Sequence, residues 1–110
     1  MSDDGYVFYD TLSGQGVSEQ YLRKEKQKAR ELRNSAWWKR KRSSGICHYC
    51  RLSFKPQDLT MDHVIPLARG GASTRENLVP CCKDCNNKKK NLLPAEWKEY
   101  MEKLGQKTDN

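Results

Sequence analysis

Two short cysteine pairs constrain this chain more than any other feature. Cys47-His-Tyr-Cys50 and Cys82-Lys-Asp-Cys85 each space two thiols by two residues. A Cys-x-x-Cys turn aims both sulfurs at one point. Two such turns close a tetrahedral four-thiolate site of the kind zinc occupies. With all four positions filled by protein, no place is left for a substrate, so a zinc held there is structural. Cys81 stands directly before Cys82, so a shifted ligand choice is open. The two-residue spacing to Cys85 favours Cys82 and leaves Cys81 as a small buried side chain. His48, inside the first pair, is read as a surface or supporting residue rather than a ligand. The chain has 110 residues, of which 35% are apolar. A core that small often needs a metal or disulfide staple.

The spacer between the pairs, residues 51–81, is 31 residues long, against roughly 15–20 in ordinary zinc ribbons. Something substantial is therefore inserted between the knuckles. "LTMDHVIP" reads as a strand and "ENLVP" as a second, shorter one. The first buries an acid and an imidazole side by side, Asp62 and His63, and burying ionisable groups is costly unless they are partnered. Adjacent side chains on a regular strand face opposite ways, so the strand has to kink or end here if the two share a site. Pro66 is consistent with that, and Gly70 and Gly71 supply a turn. Further on, "KDCNNKKKNL" holds helix formers after a turn. "PAEWKEYMEKLG" is a helix opened by Pro94 and closed by Gly105, with Trp97, Met101 and Leu104 on one face.

The N-terminal part has a different texture. Residues 1–17 carry three Asp and no base, and are expected to form a flexible acidic arm. Residues 18–44 carry ten Lys or Arg against three Glu and read as one basic helix, with Ser18 as N-cap and Gly45 as stop. Its apolar stripe is ragged: Tyr21, Leu22, Ala29, Leu32 and Trp37. Residues 45–104 form the remaining domain and residues 105–110 a disordered tail. The net charge of +7, concentrated in one block, suits a polyanion such as nucleic acid, although a solvated helix face explains a charge run equally well. No run of 18 apolar residues exists, so no transmembrane helix is expected. The acidic N-terminus lacks the pattern of a secretory signal. Paired cysteines in a chain expected to be cytoplasmic point to metal rather than disulfides.

The ordered set "C-x-x-C … DHVIPLARGG … ENLVPCCKDCNNKK", over residues 46 to about 90, resembles the HNH endonuclease family. The shared order is knuckle, Asp-His, Pro, Gly-Gly, Asn-Leu, second knuckle, a polar residue after the last cysteine, then Lys. The resemblance implies an α+β fold: a ββα-metal core with a short antiparallel hairpin, a structural zinc site joining the two knuckles, and flanking helices. It implies that His63 is the general base and that Asn77 holds the middle place of the motif. Asn86 holds the third place, where many members have His, giving an H-N-N variant; Asn87 next door is the competing choice. Asp62 matches the carboxylate metal ligand.

The chemistry is coherent on its own terms. Phosphodiester hydrolysis needs an activated water, neutralised phosphate charge and help for the leaving oxygen. A neutral imidazole, with a pKa near about 6.5, can take the proton. Asp62 and the amide oxygen of Asn86 are hard ligands suited to a catalytic Mg²⁺ or Mn²⁺. Asn77 can both donate and accept, and so can pin the loop that carries His63. The expected activity is metal-dependent hydrolysis of DNA, nicking one strand of a duplex. One motif cuts one strand per site, so a double-strand break would take two copies; monomer and homodimer both stay open. Two other readings stand: a zinc-stapled nucleic-acid-binding module without catalysis, and a scaffold that docks through Trp37 and Trp38.

Overall fold

The computed structural model describes residues 7–9 and 16–108. Among the described residues, four strands and four α-helices follow in the order β1 (Val7–Tyr9), β2 (Gly16–Ser18), α1 (Glu19–Arg33), α2 (Ala36–Arg42), β3 (Thr60–His63), β4 (Leu78–Cys81), α3 (Lys83–Lys89) and α4 (Pro94–Thr108). Strands β3 and β4 pair antiparallel, from Thr60 opposite Cys81 to His63 opposite Leu78. Helix α3 follows directly. This ββα unit is the expected α+β core.

The cysteines form the centre of the packing. Cys47, Leu59, Cys81, Cys82 and Cys85 are buried together, with Tyr49, Phe54 and Trp97 against them. The first knuckle closes on itself: Cys47 N–H donates to Leu52 O at 3.1 Å, and Phe54 N–H to Gly45 O at 2.7 Å. Gly45 has φ +72°, and a Cβ there would sit 2.7 Å from the Phe54 carbonyl oxygen, so the close approach needs glycine.

The basic segment is two helices rather than one. Ser18 caps α1 as expected, accepting from Tyr21 N–H at 3.0 Å. Ser35 then caps α2, accepting from Trp38 N–H at 3.3 Å. A serine that competes for backbone donors starts a helix more readily than it continues one. The break changes the phase of the apolar stripe. Trp38 is 1% exposed and joins the core beside β4. Trp37, the tryptophan expected in the stripe, is half-buried between the Lys41 and Arg75 cations.

Two terminal expectations also differ from the structure. Within residues 1–17, Val7–Tyr9 pairs with Gly16–Ser18; Val, Phe and Tyr are strand formers. Residues 1–6 and 10–15 lie outside the described residues. Helix α4 runs through Gly105 to Thr108, because one glycine costs a helix only about 1 kcal/mol. The expectation for 109–110 lies outside the described residues.

Candidate active site and metal centre

The sulfur atoms of Cys47, Cys50, Cys82 and Cys85 all lie within 4.8 Å of one another. Cys50 and Cys82 Sγ are 3.9 Å apart. Four thiolates about 2.3 Å from one zinc ion would stand about 3.8 Å apart, so the cluster has the size a metal requires. Backbone donors point at two of the sulfurs: Cys82 N–H at Cys47 Sγ and Cys85 N–H at Cys82 Sγ, each at 3.4 Å. Burial pushes the Cys47 thiol up, but N–H donors from Cys82, Cys50 and Tyr49 outweigh it and bring it to about 7. Cys81 is outside the cluster. Its Sγ donates to Cys82 O, and burial pushes its thiol well up. The ligand choice that the sequence left open falls on Cys82.

Strand β3 ends at His63, and the next backbone donor, Val64 N–H, already bonds Asn77 O at 2.9 Å. That ending lets Asp62 and His63 line one cleft. The cleft, of about 660 Å³, is also lined by Asn86, by Lys26, Arg30 and Arg33 of α1, and by Lys90. Asn86 lines it beside Asp62 and His63. Asp62 is 7% exposed. Its Oδ2 accepts from Tyr49 Oη at 2.6 Å and faces Lys89 Nζ at 3.2 Å. Both contacts fall on one oxygen, so Oδ1 is the atom that could meet a cation in the cleft. Burial pushes the His63 imidazole below its usual value against the opposing pull of Asp62, which favours the neutral ring. Its Nε2 lies 2.9 Å from Ser73 Oγ.

Asn77 does what its chemistry allows. Its Oδ1 accepts from Ile65 N–H at 2.9 Å, and its Nδ2 donates to Ile65 O at 3.0 Å and Ala72 O at 2.9 Å. One side chain thus fixes both ends of the turn that follows His63. Gly71 closes that turn: a Cβ there would overlap the Ile65 carbonyl.

Sequence reasoning missed four residues of this arrangement. Lys89 is fully buried, donates to His63 O at 3.1 Å and pairs with Asp62. Cys85 and Lys89 are the buried residues of α3, and Cys82 is its N-cap, so the three-and-four spacing held the signal. Tyr49 sits between two ligand cysteines. Burial and the bond to Asp62 push its phenol well above its usual range, so it stays a donor. Ser73 is 5% exposed and Glu25 4%. Glu25 shares a helical face with Leu22 and Ala29, both buried. An acid on the apolar stripe of a basic helix was the available cue.

The model of the HNH endonuclease family matches residues 47–101, half of the chain. This chain belongs to the HNH endonuclease family. It is also similar to the CRISPR-associated endonuclease Cas9 of Corynebacterium diphtheriae, with 42% identity over 52 residues, which is 46% of this chain. The match spans 5% of that protein's length. The HNH segment contains Asp62, His63, Asn77, Asn86 and all four clustered cysteines. Glu25, Lys26, Arg30 and Arg33 lie outside it, so one wall of the cleft is supplied by sequence beyond the family's own module.

Proposed function

We propose that this HNH protein is a metal-dependent endonuclease that nicks double-stranded DNA. What supports this reading above all is the convergence of Asp62, His63 and Asn86 on one cleft whose far wall is basic. Neutral His63 takes the proton from an attacking water. Asp62, through Oδ1, and Asn86, through its amide oxygen, offer hard ligands and leave room for phosphate. A divalent cation such as Mg²⁺ or Mn²⁺ held by these two would neutralise charge on the phosphodiester and on the leaving oxygen. Tyr49 and Lys89 hold the other Asp62 oxygen and so fix the carboxylate plane. Asn77 keeps the turn after His63 in place. Lys26, Arg30 and Arg33 contact phosphates without reading bases. Arg23 and Lys28 pair with Glu19 and Glu25, so they have less to offer. Zinc at the four cysteines is structural and is part of folding.

The test is conversion of supercoiled plasmid to open circle by the zinc-loaded full chain, with and without Mg²⁺ or Mn²⁺. Metal-dependent nicking that disappears in His63→Ala supports the reading. Full nicking by His63→Ala, in protein free of contaminating nuclease, overturns it and leaves a zinc-stapled DNA binder.

A further inference from the structure

We infer that Glu25, on helix α1 and outside the HNH module, is a positioning residue that selects the tautomer of His63 through Ser73. The inference rests on the nuclease reading of His63. Helix α1 grips the turn after the proposed base at three points. Tyr21 Oη donates to Gly71 O at 2.7 Å. Ser73 N–H donates to Glu25 Oε1 at 2.7 Å. Ser73 Oγ donates to the Glu25 backbone carbonyl at 2.5 Å. Ser73 and Glu25 are both buried, so water does not compete for these bonds.

A serine hydroxyl has one proton. Here it goes to the Glu25 carbonyl, so toward His63 Nε2, at 2.9 Å, Ser73 Oγ can only accept. Nε2 must then carry the hydrogen. In a neutral ring that leaves the lone pair on Nδ1, the other nitrogen of a residue that lines the cleft. Without the Glu25 carboxylate to hold Ser73 N–H, Ser73 can shift off the helix carbonyl and its hydroxyl can donate to Nε2 instead. The proton would then sit on Nδ1, and the base would have no lone pair where it is needed. A histidine's working nitrogen is generally set by what its other nitrogen bonds. The acid in the basic helix therefore has a purpose distinct from gripping phosphate: it makes the docking of α1 a condition for a competent base.

The chain has two histidines, so its imidazoles are readily assigned by nitrogen NMR. The zinc-loaded full chain at pH 8, without added Mg²⁺ or Mn²⁺, should show His63 as a single Nε2–H tautomer. Ser73→Ala and Glu25→Ala should give mixed tautomers. Their turnover in plasmid nicking should fall about tenfold or more, with KM and Mn²⁺ dependence little changed. Ser73→Thr and Glu25→Gln, which keep the hydroxyl and the side-chain acceptor, should recover most of the single tautomer. If Glu25→Ala does not fold, Ser73→Ala decides. An Nδ1–H tautomer in the wild-type chain overturns the inference. So does a tautomer indifferent to both alanine substitutions. A wild-type chain that does not nick overturns the nuclease reading instead, because the tautomer is read without turnover.

Discussion

The hydroxyl of Tyr49 lies 2.6 Å from Asp62 Oδ2, joining the first cysteine knuckle to the proposed catalytic ligand. Tyr49 stands between Cys47 and Cys50, so the fold of the four-cysteine cluster fixes where the phenol points. Its ring is held edge-on by Trp97 of α4, with centroids 5.4 Å apart. The four-cysteine cluster and the proposed catalytic site are therefore mechanically connected.

Tyr49→Phe keeps the ring packing and removes the donor. The protein should bind zinc normally and unfold near the wild-type temperature. Its apparent affinity for Mn²⁺ should fall about tenfold to a hundredfold, as supporting hydrogen bonds to metal ligands usually require. Titrating Mn²⁺ into the nicking reaction reads this directly. Equal Mn²⁺ dependence in the two proteins would show that Lys89 alone orients the carboxylate.

Cys47→Ser and Cys85→Ser should lose zinc and cooperative folding together, since ligand and core are the same residues. Cys81→Ser should retain about one zinc per chain by elemental analysis. It places a hydroxyl at a fully buried site, so a loss of about 1–3 kcal/mol in thermal or denaturant melts is expected. Zinc lost from Cys81→Ser but kept by Cys82→Ser would reverse the ligand assignment.

His63→Ala should lower plasmid nicking by about 10²–10⁴ while zinc content and DNA binding stay intact. Asp62→Ala should be nearly as inactive, but excess Mn²⁺ should restore part of the rate, because the defect lies in metal affinity. Asn86→His should be tolerated, with preference shifted toward softer ions. Asn77→Ala should have the smallest kinetic effect and should also lower stability, since it releases three backbone bonds.

The rate should depend on pH with an acid limb below about 6.5, the ordinary imidazole value. Burial lowers the His63 pKa, and a cation in the cleft acts in the same direction. The sign for stability follows from linkage. Once the pH drops below the unfolded-state value, the unfolded chain takes up a proton that the folded chain refuses. Stability therefore declines from about pH 6.5 down to the folded pKa and then stops changing on this account. An acid limb centred above pH 7 would mean that another group is the base.

Arg30→Ala and Arg33→Ala should each weaken DNA binding uniformly across sequences and reduce the slope of log K against log salt by about 1. Point substitutions are the right tool here. Deleting the residues before 44 would also remove Trp38 from the core. An unchanged slope in the double variant would place the phosphate contacts elsewhere.

The sequence by itself determined the four-cysteine cluster and the two strands of the hairpin, and it put the candidate residues Asp62, His63 and Asn86 in view, because these are written in short-range spacing. Cys-x-x-Cys fixes a turn, Asp62-His63 fixes adjacency, and Asn86 follows its cysteine directly. Three things required the tertiary structure. The split of the basic segment depended on whether Ser35 would cap or continue a helix, and the burial of Trp38 tipped that balance. Bringing Asn86 to the cleft depended on the direction of α3 relative to β3. The partners Tyr49, Lys89, Ser73 and Glu25 lie between 10 and 48 residues from the groups they hold. No local periodicity encodes such pairings. They exist because burial removes water, and a buried donor or charge then has to find its complement wherever the fold brings one.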